Sequence, residues 1–328
     1  MAEATFRWGI LGLGNIAGSF ANGLRATPGA RLVAGASNSR ERAEKFRAEY
    51  DLAVCYDNYS GLINDPEIDA IYIATRHPDH ARCALDCIAA GKPILVEKPF
   101  TINAGEAELI VAAARANNVF CMEAMWTRFM PLMGRVRELL ADGAIGRVRM
   151  LHADFGFKAE MDAGSRLFDP ALGGGALLDV GVYPLSLASM VLGPPCEVAG
   201  MAQIGATGVD EHGVINLKYP GGALATVTCS VQVKTPHVAH IIGETGRIDF
   251  HTPWWIPRAM TVHREGKAEE VIDMPFGESG YVHEALEVMK CVREGRQESS
   301  ILPLDESVEV MRTMDALRGQ WGVRYPSE

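Results

Sequence analysis

The chain has no C-x-x-C pair among its seven cysteines, no basic excess and no basic-then-apolar start, and each absence removes a class of function. Without cysteines at ligand spacing, neither a disulfide framework nor a zinc ribbon is legible, and a reducing cytoplasm fits such usage. Cys83 and Cys87 stand four apart in a predicted helix and are read as core thiols rather than a metal pair. A net charge of -10 argues against the clustered Lys/Arg surface that a nucleic-acid partner requires. The start, Met1-Ala2-Glu3-Ala4-Thr5-Phe6-Arg7, carries no signal pattern, and no apolar run approaches the ~20 residues that span a bilayer, so no membrane is expected. What remains is an ordinary globular composition, 48% hydrophobic and 22% charged, in 328 residues, a length that suits two domains. A small-molecule substrate is the default.

Short apolar runs alternate with amphipathic helical stretches through the first 120 or so residues, the pattern of parallel βαβ units. Strands are predicted at Trp8–Leu11, Leu32–Ala36, Ala70–Ala74, Ile94–Val96 and Val119–Met122, and helices at Ile16–Ala26, Arg40–Tyr50, Pro78–Ala90 and Asn103–Asn117. Gly91 is a left-handed stop for the third helix. From about Arg147 the pattern changes to a helix and strands joined by Gly-containing turns, such as Tyr219-Pro220-Gly221-Gly222 before the alternating run Ala223–Val233. The expected fold is α/β: a Rossmann doubly wound parallel sheet over 1–123, then an α+β substrate-binding domain with a large, mostly antiparallel open sheet over 124–328. Of two late helices near Tyr281–Glu294 and Asp305–Trp321, the second is expected to pack back on the first domain.

Gly12-x-Gly14-x-x-Ala17 follows the first strand and opens a helix, the context that a dinucleotide fingerprint requires. Gly12 permits the tight turn, Gly14 lets the backbone approach a pyrophosphate, and Ala17 allows close helix–strand packing. Asn15 and Ile16 begin the helix whose amide end faces the phosphates. After the second strand the chain reads Ala36-Ser37-Asn38-Ser39-Arg40, without the acidic residue that would hold a ribose 2′-hydroxyl. Ser37, Asn38 and Arg40 can donate to a 2′-phosphate, so NADP is favoured, with NAD possible. The structural alternative is that Ser37 or Asn38 caps the next helix.

Ligands of open parallel sheets bind beyond the carboxyl ends of the strands. Thr75, His77 and His80 follow one such strand, and Glu97-Lys98-Pro99 follows another, so Thr75, His77, His80, Glu97 and Lys98 are candidates to border a nicotinamide. In the second half, Gly173-Gly174-Gly175 leads into a helix carrying Asp179 and Tyr183, whose spacing of four places them on one face. In isolation, helix-dipole and packing roles would be the preferred reading of that pair. His237-x-x-His240 has no further ligand at metal spacing, and no metal site is expected.

Together, Gly12-x-Gly14-x-x-Ala17, Glu97-Lys98-Pro99 and Gly-Gly-Gly-x-x-x-Asp179-x-Gly-x-Tyr183 resemble the glucose-fructose oxidoreductase / inositol dehydrogenase / MocA family, through almost the whole chain. Glu123-Ala124-Met125-Trp126-Thr127-Arg128-Phe129 and the Asp-x-x-x-Tyr ending resemble its dimeric dihydrodiol dehydrogenase and NADP-dependent D-xylose dehydrogenase branch. Inositol-type members carry His where Tyr183 stands, which disfavours inositol. The resemblance implies that Lys98 and Tyr183 are catalytic, with Asp179 beside them at the substrate. It also implies Trp126 and Phe155 as pocket walls; Arg128 and Arg166 are further candidate substrate contacts. Core packing for Phe155 and a structural ion pair for Arg166 are equal contenders.

That assignment suits hydride transfer at a carbinol carbon, which needs a base on the hydroxyl oxygen. An unperturbed phenol titrates near ~10, a neighbouring ammonium favours phenolate, and Lys98 is the candidate source of that charge. Which of Lys98 and Tyr183 is the immediate proton carrier stays open. The implied enzyme acts on an aldose, a related sugar or a trans-dihydrodiol, as a homodimer or homotetramer built through the second sheet. Its rivals are a non-enzymatic dinucleotide-sensing regulator and a transhydrogenase that retains its cofactor. The latter reading would gain from a long N-terminal arm, whereas seven residues precede Trp8 here.

Overall fold

In the first strand, β1 (Phe6–Leu11), Trp8, Ile10 and Leu11 are fully buried, pointing to both faces, as a strand covered by helices on either side demands. The computed structural model, which describes residues 4–277 and 279–328, places this strand at the centre of a six-stranded parallel sheet. Met1–Glu3, part of the start read above for a signal pattern, lie outside the described residues. The sheet also contains β2 (Ala30–Ala36), β3 (Val54–Tyr56), β4 (Ala70–Ile73), β5 (Ile94–Glu97) and β6 (Cys121–Ala124), in the order β3-β2-β1-β4-β5-β6. That is the doubly wound order, with its switch point between β1 and β4. Each fully buried Ile or Leu in these strands contributes ~1.5–3 kcal/mol of transfer free energy.

The connecting helices are α1 (Asn15–Arg25), α2 (Arg40–Tyr50), α3 (Tyr59–Ile63), α4 (His80–Ala89) and α5 (Ala104–Asn117). α1 buries Ala17, Phe20, Ala21 and Leu24, one stripe at helical spacing. Phe20 stacks on Tyr72 of β4 with ring centroids 3.8 Å apart. Cys83 and Cys87 are buried in α4, where desolvation pushes their thiols up, Cys83 to about 11. Gly91 ends α4 at φ +72. The strand β3 and the helix α3 escape the sequence reading because both are very short, and Val54 at the sheet edge faces solvent.

The second sheet has eight strands, β7 (Val148–Gly156), β8 (Glu197–Ile204), β9 (Asp210–Lys218), β10 (Leu224–Ser230), β11 (Ala239–Gly243), β12 (Gly246–Phe250), β13 (Ala259–Arg264) and β14 (Glu270–Asp273), in the order β14-β13-β12-β11-β7-β10-β9-β8. Every neighbouring pair is antiparallel except β7 with β10. Val227 and Cys229 of β10 and Val231 beyond it are buried. The helices of the remaining chain are α6 (Pro131–Ala141), α7 (Val182–Leu192), α8 (Tyr281–Arg293) and α9 (Leu304–Trp321). α7 packs on β7 and β10.

Two compact units result. One comprises the described residues of Met1–Thr101, Gly105–Trp126 and Gly277–Ser307, the other Ile102–Ala104, Thr127–Phe276 and Val308–Glu328. α8 packs on α1, where a Cβ added at Gly23 would come 2.8 Å from the Cβ of Tyr281, and the start of α9 belongs to the same unit, with Ser307 donating to Glu123 of β6 at 2.7 Å. Most of α9 lies in the second unit, its Arg318 tied to Asp315 at 2.5 Å and Glu328 at 2.8 Å. The expectation about apolar length is corrected. Pro170–Leu192 is long and apolar enough to cross a membrane, but 78% of its most apolar window is buried inside the protein, as in a core helix.

Candidate active site

The cradle for a dinucleotide is built at the carboxyl end of β1. Gly12 has φ +92, and a Cβ there would stand 2.8 Å from the carbonyl carbon and oxygen of Ala74, so only glycine fits the turn. Gly14, in contrast, has extended backbone and no atom within 4 Å of its Cβ position. It is the N-cap of α1, and neither a capping side chain nor a first-turn acid occupies that helix end. Exposed Gly14 and Asn15 and partly exposed Ile16 thus offer unclaimed amides to an anion. The residues present fit a pyrophosphate.

At the end of β2 the three candidates differ. Ser37 is 3% exposed and its Oγ accepts the Ser39 amide at 3.2 Å, so it stiffens the turn. Asn38 is exposed, and Arg40 reaches Glu44 at 2.9 Å with both side chains in solvent, a pair too weak to hold the guanidinium from another anion. The cap of α2 is Ser39, whose Oγ accepts the Arg42 amide at 3.4 Å, rather than Ser37 or Asn38.

Thr75 and His77 follow β4 and are partly exposed. His80 is corrected: it is fully buried, with Nδ1 3.0 Å from the Pro99 carbonyl oxygen and Nε2 3.2 Å from that of Thr75. A neutral imidazole donates to only one of these, and burial pulls its pKa down against the two carbonyls. Facing inward from the first turn of α4, it braces the chain after β4 against the chain after β5 instead of meeting a cofactor. On β5, Glu97 is buried, accepting from the Tyr72 hydroxyl and, at 3.0 Å, from the Lys98 amide, while the Lys98 side chain is partly exposed. Glu284 of α8 is also fully buried, and neither carboxyl oxygen has a hydrogen-bond partner. Desolvation first, then the Glu97 charge, holds it protonated far above the usual carboxylate range. Tyr72 and Glu284 went unread because only the fold brings β4 and α8 to Glu97.

In the second unit the run expected to be one regular helix opens with a π-helical turn, Leu177–Gly181, before α7. Asp179 lies in that turn, buried, and accepts from Arg166 Nη1 at 2.7 Å; the arginine is 59% exposed, so its other donors reach solvent. Tyr183 is the second residue of α7 and makes an edge-type ring contact with Phe155, centroids 5.1 Å apart. Phe155 stacks face to face on Trp255, centroids 3.8 Å apart and planes 12° from parallel, with His237 edge-on to both. Phe155 also packs on the core of Phe168, Ala176, Val180, Cys229 and Val231. Trp255 was missed; the tandem Trp254-Trp255 was the available signal, but no periodicity says which of the two faces a pocket.

Trp126 and Arg128 are both buried. Trp126 is buried and stacks on Tyr281 at 5.2 Å within the first unit. Arg128 is buried in the second, donating from Nη1 to the Ser186 carbonyl and hydroxyl oxygens, both at 3.2 Å. Through Nη1 it supports α7.

Residues 6–125 match the oxidoreductase family with an NAD-binding Rossmann fold, and residues 133–249 match the GFO/IDH/MocA C-terminal domain. The chain is 36% identical to trans-1,2-dihydrobenzene-1,2-diol dehydrogenase of Mus musculus over 331 aligned positions, covering 98% of each chain. The chain belongs to the GFO/IDH/MocA oxidoreductase family. Proteins of solved structure are similar along nearly all of its length. A 3-ketoreductase from Actinomadura kijaniata, solved with NADP and TDP-benzene, superposes with TM-score 0.84 at 25% identity, covering 96% of this chain and 97% of its own. An aldose-aldose oxidoreductase from Caulobacter crescentus shares the fold with TM-score 0.88 at 23% identity, covering 97% and 98%. As a GFO/IDH/MocA protein the chain is a dinucleotide-dependent oxidoreductase, a dehydrogenase or reductase.

Proposed function

We propose that the protein is an NADP-dependent dehydrogenase or reductase acting on a CH–OH carbon of a trans-dihydrodiol, aldoses and related sugars being the alternative substrates of the same chemistry. The observation that carries this reading is the stacked Phe155–Trp255 pair, whose Phe155 makes an edge-type contact with Tyr183, four residues after the Arg166-paired Asp179. An aromatic wall suits the apolar face of a ring diol, while a phenol and a carboxylate suit its two hydroxyls. The mouse relative is named for such a compound.

The nicotinamide supplies the acceptor and donor of the hydride. Tyr183 Oη takes the hydroxyl proton when the diol is oxidised and returns it on reduction. Lys98 Nζ stabilises negative charge on that oxygen, and Asp179, held by Arg166, orients the neighbouring hydroxyl. For the cofactor, exposed Asn38 and Arg40 beyond β2, with no carboxylate between residues 36 and 40, favour a 2′-phosphate. NADP is also the cofactor named with the Actinomadura kijaniata enzyme.

The same reading includes self-association through the outward face of the second sheet, which exposes Met150, Met201, Val214 and Leu224, Met201 to 83%. It also includes a cytoplasmic location, where seven free thiols stay reduced. The test is turnover of trans-1,2-dihydrobenzene-1,2-diol, D-xylose and D-glucose with NADP+ and with NAD+. The expected result is fastest turnover of the diol with NADP+. A preference for an aldose would move the substrate to sugars. Cofactor binding without turnover on any of them would favour a regulator, and NADP(H) surviving gel filtration stoichiometrically would favour the transhydrogenase.

A further inference from the structure

Asp210, the first residue of β9, is fully buried, yet no motif of the reaction includes it. Its Oδ2 accepts the Leu177 amide at 2.7 Å, at the start of the π-helical turn that carries Asp179 and leads into Tyr183. Its Oδ1 fills the space beside Gly175, where a Cβ would come within 2.4 Å of that oxygen at a φ of +121. Gly175 in turn accepts the Asp179 amide through its carbonyl at 3.2 Å, and the Tyr325 hydroxyl donates to the Gly174 carbonyl at 2.7 Å. A carboxyl from a distant strand therefore lies against the glycine loop and holds the first amide of the turn. Burial pushes that carboxyl up to about 7, opposed by the Leu177 amide and the Arg318 charge, with Tyr325 and Cys229 the other ionisable neighbours.

A π turn holds one residue more than an α turn and is a strained local state. Were it to rewind as α-helix, residues beyond it would rotate about the axis by roughly 100°, the angle per residue of an α-helix. Such a rotation would carry the Tyr183 phenol off the face it shares with Phe155. We propose that Asp210 is a positioning residue for the reaction: by pinning the Leu177 amide and filling the space at Gly175, it fixes the winding that presents Asp179 and Tyr183. The inference rests on the reading of Tyr183 as proton carrier.

A double-mutant cycle tests it, with kcat and KM measured for wild type, Asp210→Ala, Tyr183→Phe and the double variant, and Asp210→Asn alongside. Asp210→Ala should lower kcat at least ~10-fold with the dinucleotide KM unchanged, as expected for a misplaced reacting group. Asp210→Asn keeps an acceptor for the Leu177 amide and should stay within about 3-fold of wild type. On top of Tyr183→Phe, Asp210→Ala should cost markedly less than it does in wild type, because most of its effect passes through the phenol. Wild-type kcat in Asp210→Ala, or losses that multiply in the double variant, overturns the role of Asp210. Wild-type kcat in Tyr183→Phe instead overturns the reading of the phenol on which it rests. If Asp210→Ala does not fold, Asp210→Ser, too short to reach the Leu177 amide, takes its place with the same expectations.

Discussion

The two halves of the candidate machinery are held in opposite ways. At the carboxyl end of the parallel sheet the cradle is backbone: Gly12 turns where a Cβ would strike Ala74, and Gly14 leaves the amide end of α1 open. In the second unit, Asp179 and Tyr183 sit on a turn whose conformation depends on side chains from distant segments: Asp210 of β9, Arg166, and Tyr325 near the C-terminus. Backbone cradles are written locally in the sequence. Propped side chains are written in pairs far apart, and the fold alone brings such pairs together.

The comparison predicts effects of different size and kind. The largest falls on Lys98, which leaves the cradle untouched: Lys98→Met should lower kcat by at least ~100-fold with dinucleotide affinity within a few-fold of wild type, measured by steady-state kinetics and fluorescence titration. Equal losses in kcat and affinity would make Lys98 part of the cradle. Next is Gly14→Ala, which the protein alone tolerates, since nothing lies within 4 Å of the new Cβ. Melting temperature should hold, whereas dinucleotide Kd should rise by about tenfold, the mark of a space kept for the ligand. Unchanged affinity would show that the open side of Gly14 does not face the pyrophosphate.

The smallest effect concerns the buried carboxyl beneath Glu97. Glu284 keeps its proton in the folded protein well above the pH at which an unfolded glutamate loses it. The unfolded state therefore binds fewer protons at neutral pH, and wild-type stability falls as pH rises beyond about 4.5. Glu284→Gln, neutral at every pH, should gain about 1 kcal/mol or more on wild type between pH 5 and pH 8 in urea unfolding. A gap that does not change with pH would mean that Glu284 is ionised, and would leave the cradle unit free of such a distant prop.

Much of the fold was legible because its signals are local. The burial of β1, β4 and β5 on both faces follows from apolar runs, and the hairpin at Tyr219–Gly222 from its turn residues. His80 was misread because its position after a strand end says nothing about which way the first turn of α4 faces; both ring nitrogens meet carbonyls inside the protein. The π turn at Leu177–Gly181 has no sequence pattern of its own, and its anchor at Asp210 lies 33 residues from the amide it holds.

The account stands on hydride transfer with Tyr183 as proton carrier, and Tyr183→Phe tests that most directly. With trans-1,2-dihydrobenzene-1,2-diol and NADP+, the variant should bind dinucleotide as wild type does and turn over at least ~100-fold more slowly. Turnover at the wild-type rate with the phenol oxygen removed would contradict it.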